Sequence, residues 1–473
     1  MSTDTHFSAA SRSVRIASLG ALSADELLAL CRLRPERYPV LLESAAYQAA
    51  TGTQHDILMA FPGDSLQCVA GEALIGSHEL NLPQASFLDA LDAWWQRERI
   101  DVDTCHSPFT GGWFLYLSYE LATQIEPALL PVMPIIPGQL LAQALRITAA
   151  IIRNSATGEA WFVAESDTDT ANCLPLLQTD LKLVRTGEMQ EGVFALSSLS
   201  EDAPELFIQA VLAAKKHIAA GDVYQANLSR GWRASLSSPA APADIYRQLR
   251  RANPAPFASL ARLNDDHAII SSSPERLLQV RDGVASTRPI AGTRPRAAHA
   301  AADAALLNEL KAHPKERAEH IMLLDLERND LGRICIGGSV RVDEYMSIES
   351  YAHVHHIVSN VEGRIRGDVT PGQALAALFP GGTITGCPKV RCMQIIAEQE
   401  GVARGAYTGS MGYLNRDGSM DLNILIRTLE MQGSELRFRA GAGIVADSIP
   451  ERELDETRAK ALGLLRALPV VQA

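Results

Sequence analysis

Residues 436–465 constrain this chain more than any other stretch. They read as a strand whose side chains thin out at Gly441-Ala442-Gly443 before Pro450 opens a helix. Glycines in a strand let an anion or a neighbouring chain approach the backbone, and proline suits a first helical turn. Along that helix Glu453, Glu456 and Lys460 are spaced three and four apart and share one face. Leu454, Leu462 and Leu465 supply the apolar contacts. Two carboxylates and an ammonium beside such a strand suit a hard cation with a small anion. A solvated face with ordinary ion pairs would carry the same spacing.

The surrounding pattern predicts the sheets this unit packs against. Residues 205–220 are helical in period and stop at Gly221. Residues 223–228 alternate as a strand that places Val223, Gln225 and Asn227 on one face, with further strands at 268–272, 355–361, 411–414, 424–429 and 436–440. Upstream, residues 23–33 carry a capping-box spacing at Ser23 and Glu26, 39–44 and 111–119 read as strands, and 145–152 with 159–164 form a hairpin. Residues 127–145 lack charge but hold four prolines, which argues for a loop over the core rather than a spanning helix. Short, turn-separated strands predict an α+β fold: large antiparallel β-sheets packed as a sandwich with helices outside. The irregular 167–204 region marks a boundary near 195, giving a tail at 1–20 and domains at 21–195 and 196–473.

Charge and cysteine usage narrow the setting. The net charge of −12 argues against nucleic acid or an anionic membrane as partner. An acidic protein with an anionic substrate then needs a metal ion or a few placed cations. Seven scattered cysteines without a C-x-x-C pair speak for a reducing compartment and against a zinc module, and the first twenty residues lack an apolar core, so a cytoplasmic location is expected.

A helix after Pro314 repeats the acidic pattern, with Glu316 and Glu319 on one side. Two such helices would repel unless a cation sits between them, and Mg²⁺ takes one or two carboxylates while keeping water. The segment 381–389 looks like a phosphate-binding loop, but its lysine is displaced and no Ser or Thr follows, so nucleotide binding is rejected. His353 and His355 share a strand face opposite His356; one of these could do general-acid or orienting work, and a structural role is the default.

Taken together, several segments resemble the chorismate-utilising enzymes, in particular the large subunits of anthranilate synthase and 4-amino-4-deoxychorismate synthase. The matching stretches are 224–228, 273–276, 287–296, 315–325, 328–333, 356–359, 382–391 and 441–447, with looser matches at 41–44 and 112–119. The resemblance implies that Glu319 and Glu456 ligate Mg²⁺, with Glu316 and Glu453 behind them through water. It implies that Arg427, Tyr407, Lys460 and the backbone at Gly441 and Gly443 hold the substrate carboxylates, while Gly292, Thr293 and Thr383 line the pocket. Glu275 would protonate the departing C4 hydroxyl and His356 would sit against the ring. Relatives that add water look as if they carry a lysine base where this chain has Gln225; an amide cannot take that proton, which favours ammonia. Ammonia implies a separate glutamine amidotransferase subunit.

Residues 225–228, 253–257 and 380–386 look more like aminodeoxychorismate synthase component I, whose product serves 4-aminobenzoate and folate synthesis. Ala291 departs from that pattern, because many such synthases carry a nucleophilic lysine there, and it is what anthranilate synthases show. Amination at C2, giving anthranilate, is the second reading; a non-catalytic ligand-binding relative is the third. Ser44 and Pro256 match a place where family members hold tryptophan, and plain packing would serve them equally.

Overall fold

The computed structural model describes residues 14–46, 55–76, 78–83, 85–101, 107–168, 170–187, 192–297, 299–312, 314–350 and 354–469. Alternation along its strands sorts apolar side chains into three layers. In the strand Gly112–Leu117, Trp113, Leu115 and Leu117 join one core while Phe114 and Tyr116 join another. In His267–Ser273, Ala268 and Ile270 face a third core, and Ile269 points back to the one shared with Phe114. The shared layer therefore lies between two sheets, and each outer layer is covered by helices, as period-two burial requires.

Every pairing among the described strands is antiparallel. One path of neighbours runs Val14–Ala21, Glu159–Glu165, Leu140–Asn154, His55–Val69, Val40–Glu43, Phe257–Arg262, His267–Ser273, Thr428–Gln432, Glu435–Ile444 and Gln225–Leu236. A second leaves the same Leu140–Asn154 strand through Gly112–Leu117, Ser410–Asn415, Met420–Ile424, Arg276–Arg281, Val284–Arg288 and Val354–Arg364 to Ile290–Pro295. The expected sandwich of large antiparallel sheets with outer helices is what the chain builds. The middle core mixes Ile57 and Met59 with Ala261, Ile269 and Met411, so side chains from both sides of residue 195 share it.

Local expectations fare unevenly. The capping box is present: Ser23 Oγ accepts from the Glu26 N–H, and the Glu26 carboxylate accepts from the Ser23 N–H. The hairpin at 154–158 also forms. Three readings need correction. The uncharged 127–145 stretch is a loop, with one 3₁₀ turn at Pro127–Leu129, only as far as Gln139, because Leu140 starts a strand held on both edges. The polar 167–204 region contains a helix, Thr170–Arg185, anchored by buried Leu174, Leu177 and Leu181 despite Pro175 within it. The strand expected over 424–429 breaks at Arg427, whose φ of 52° is left-handed and ends one strand before the next begins at Thr428.

Candidate active site

The glycine-bearing strand Glu435–Ile444 pairs with Gln225–Leu236, setting Gly441 opposite Ser229 and Gly443 opposite Asn227. Gln225 from the neighbouring strand and Tyr407 from a turn fold over the gap. A Cβ on Gly443 would stand 2.3 Å from Gln225 Nε2, and one on Gly441 would stand 2.7 Å from the Tyr407 hydroxyl, so neither position admits a side chain without displacement. Gln225 is 7% exposed, and its Oε1 has no hydrogen-bond partner among the described residues. A buried amide oxygen left without a donor is costly in a finished core and natural in a site that awaits one. Lys460, reaching back from the helix Pro450–Leu465, donates to the Gly441 carbonyl at 3.0 Å and pairs with Glu456 at 2.8 Å.

Opposite this strand stand Glu275, His356 and Arg427. Glu275 is buried in the turn after the strand His267–Ser273, and its carboxylate accepts from the Ile290 N–H at 3.4 Å. Burial pushes it up to about 7, with the Thr383 hydroxyl, the Ile290 N–H, Lys460 and Arg427 pulling the other way. His356, 1% exposed, is pushed down to about 3, first by burial and then by Arg427; Lys460 and His355 act in the same sense. Its imidazole is therefore neutral near pH 7. The pairing of Ile290–Pro295 with Val354–Arg364 slips between Ala291 and Thr293, and the extra residue is Gly292, at φ 70°. That bulge turns the Gly292 backbone to a hydrogen bond with His356. The left-handed φ of Arg427 re-aims the chain at the same place; its carbonyl accepts from the Ser272 N–H at 3.1 Å.

These contacts bring Gln225, Glu275, Gly292, His356, Thr383, Tyr407, Arg427, Gly441, Gly443 and Lys460 into one neighbourhood. His355 takes the other strand face, its ring bonded to Ser350 and Asp303, and His353 lies outside the described residues. The side chains of Ala291, Thr293 and Glu316 also lie outside them. Of the acidic pairs, Glu319 is half-buried on the helix Pro314–Gly332, Glu453 is 8% exposed, and Glu456 is half-exposed beside Lys460. Among the described residues no three His, Cys, Asp or Glu side chains converge to hold a metal. Carboxylate oxygens in partial contact with water still suit Mg²⁺, which needs only one or two protein ligands.

Sequence reading passed over several residues that shape the site. Asn227 donates from Nδ2 to the Thr383 carbonyl at 3.1 Å, tying the two site walls together. Arg404 stacks on the Tyr407 ring at 5.5 Å, pairs with Glu400 at 2.6 Å and donates to the Asn227 carbonyl at 2.7 Å. Arg439 joins Glu400 at 3.0 Å. The Asn227 signal was available, since it shares a face with Gln225; the Arg404 knot offers locally only its spacing of four from Glu400, which Gly401 interrupts, and otherwise joins distant segments. Ser44 and Pro256 line a separate cavity with Glu43, Phe257, Met411 and Asn423.

Known proteins resemble this chain over most of its length. The family model described as chorismate binding enzyme matches residues 43–466. Aminodeoxychorismate synthase component 1 of Bacillus subtilis (strain 168) is 38% identical over 91% of this chain and 92% of its own length. An anthranilate synthase component I-like protein of Synechocystis sp. is 42% identical over 77% of this chain and 74% of its own. The crystal structure of anthranilate synthase component I from Streptococcus pneumoniae TIGR4 superposes with a TM-score of 0.73 at 31% identity, covering 87% of this chain and 92% of that one. No helix among the described residues is long and apolar enough to cross a membrane.

Proposed function

The chain belongs to the chorismate-binding enzyme family, and we propose that it aminates chorismate at C4 to give 4-amino-4-deoxychorismate for 4-aminobenzoate and folate synthesis. The observation that carries this reading is Glu275, a buried carboxyl held at about 7 and facing two cations. Hydroxide is a poor leaving group, and an acid that keeps its proton near neutral pH can release it as water. Arg427, Lys460 and the Tyr407 hydroxyl meet a substrate carboxylate over the Gly441–Gly443 backbone. The neutral His356 packs against the ring without adding charge. Gln225 turns an amide oxygen inward, which accepts an N–H from ammonia but cannot strip a proton from water.

Magnesium, when bound, would be held by Glu319 and Glu456, with Glu316 and Glu453 behind them through water, and would neutralise the second substrate carboxylate. A separate glutamine amidotransferase subunit is the expected source of ammonia. The Ser44 and Pro256 cavity is the place where tryptophan would bind. Amination at C4 is favoured by the near full-length match to the Bacillus subtilis protein and by the segments 225–228, 253–257 and 380–386. One observation favours C2 instead: Ala291 stands where a covalent route at C2 would need lysine, so this enzyme must act without that step or yield anthranilate.

Incubation with chorismate, Mg²⁺ and ammonium at high pH, with and without an added lyase, separates the two. A product that becomes 4-aminobenzoate only when lyase is added supports C4. Anthranilate fluorescence from the chain alone overturns it.

A further inference from the structure

A second buried carboxylate feels the charge of Glu275, and the amination chemistry does not use it. Glu327, on the helix Pro314–Gly332, is 4% exposed. Its Oε1 lies 3.0 Å from where a Cβ on Gly382 would sit, so it presses on the residue before Thr383. The Thr287 hydroxyl, from the strand Val284–Arg288, hydrogen-bonds to the Glu327 carboxyl, and the charge of Glu275 acts on it directly. One turn further along the helix, Asp330 is 3% exposed and pairs with Lys389 at 2.5 Å. Lys389 also donates to the Leu378 carbonyl at 3.1 Å. Asp330 and Lys389 line an outer groove with Tyr224, Asn329, Arg333 and Cys387. The helix thus sets Asp330 at the groove and Glu327 against the 382–383 turn, whose Thr383 acts on Glu275.

The charges facing this run set its order of titration. Burial holds Glu327 and Asp330 above the ordinary carboxylate range; Asp330 and Glu275 push Glu327 further up, while Lys389 pulls both acids down and Arg333 pulls Asp330 down. Two like charges that act on one another resist ionising together, which favours a proton on Glu327 once Glu275 has given one up.

We propose that Glu327 is a positioning residue that returns a proton to Glu275 after each turnover, drawing from the outer groove by way of Asp330 and Lys389. The inference rests on the reading of Glu275 as the acid for the departing hydroxyl, and it holds whichever ring carbon is aminated. The protons balance. The Glu275 O–H bond breaks as the C4–O bond breaks, and the hydroxyl leaves as water. Ammonia forms the C–N bond and sheds one proton to solvent. Glu327 passes its proton to the Glu275 carboxylate and regains one from water in the groove, so no oxidant or reductant enters.

Glu327→Gln keeps the volume and the bond to Thr287 but cannot relay a proton. With chorismate, Mg²⁺ and ammonium, kcat should fall about tenfold, while KM for chorismate stays within about twofold. The solvent deuterium isotope effect on kcat should rise, and Glu327→Asp should recover part of the rate. A loss carried by KM, or a lower melting temperature with an unchanged isotope effect, would mark Glu327 as structural and overturn the proposal. Product identity in the wild-type assay reports separately on the amination reading. A readout free of turnover is the carboxylic C=O stretch in infrared difference spectra at pH 7.5: the band present in the wild type should be lost in Glu327→Gln. An unchanged band leaves no proton on Glu327 and sinks the relay.

Discussion

Glu43 and Glu275 are equally buried, each 4% exposed, and burial pushes both to about 7. Their surroundings differ. Glu43 is bound by the Tyr246 hydroxyl at 2.5 Å and by Arg250 at 2.9 Å, so every strong donor it needs is in place. Glu275 accepts a long bond from the Ile290 N–H and otherwise feels Thr383, Lys460 and Arg427 from across the site. A third buried glutamate, Glu120, also at about 7, sits with Glu43 in this respect: it accepts from the Arg404 N–H at 2.7 Å and from Gln139 at 2.7 Å. A raised carboxyl pKa alone therefore does not mark a reacting group. What separates Glu275 is that two cations from different elements, Lys460 and Arg427, act on its charge beside the glycine strand, whereas Glu43 and Glu120 are closed off by their own donors.

The sharpest way to break this contrast is to neutralise each acid in turn. Glu275→Gln should lower kcat by about a hundredfold or more, the usual worth of a general acid, with the melting temperature unchanged or raised. Glu43→Gln should do the reverse: turnover within about twofold of wild type, and stability lower by about 1 kcal/mol, because Tyr246 and Arg250 keep only a neutral acceptor while Arg250 retains its pair with Asp25. Ammonium-dependent kinetics and thermal melts on both variants check the pair. Equal losses of activity would show that the two acids are not distinct in kind.

pH gives a smaller and more graded test. A carboxyl whose folded value is raised binds more protons folded than unfolded, so its stabilising contribution is complete below about 4.5 and is lost as pH rises through about 7. Glu43, Glu120 and Glu275 all act in this sense, each by about 3 kcal/mol at most. The wild type should melt higher at pH 5 than at pH 8, and Glu275→Gln should narrow that difference. Activity should follow one acid alone: the rate per unit of free ammonia should fall as pH rises through about 7, and this limb should be absent from Glu275→Gln.

Sequence made the glycine strand, its following helix and the inward Gln225 legible because each is a local pattern. Pro at the helix start, three carboxylate and ammonium positions on one face, and a polar residue in an apolar strand can all be read within one window. The contacts that assemble the site are not local. Arg404 reaches Asn227 across 177 positions, and Glu275 meets Ile290 from a separate strand and feels Thr383 from the turn at 382–384. Glu327 between Leu326 and Arg328 reads as an ordinary charged helix position; only the packing of that helix on Gly382 and Thr287 buries it. Arg427 was read as mid-strand because nothing in its type announces a left-handed backbone. The helix at 170–185 did carry a signal, Leu174, Leu177 and Leu181 at helical spacing, which Pro175 obscured.

The smallest change to the molecule is also the most specific to the contrast between the two acids. Tyr246→Phe removes one hydroxyl, the donor at 2.5 Å to Glu43, and leaves the Arg250 pair intact. The loss should be about 2 kcal/mol, the worth of a hydrogen bond to a charged group, with turnover unchanged. It should also grow with pH, because the hydroxyl favours the ionised form of Glu43 and that form is populated only above about 7. Thermal melts of the variant and the wild type at pH 5 and pH 8 measure this directly. A penalty of the same size at both would mean that Tyr246 holds Glu43 by shape rather than by charge, and that the quiet acid is as neutral in the folded chain as the reacting one.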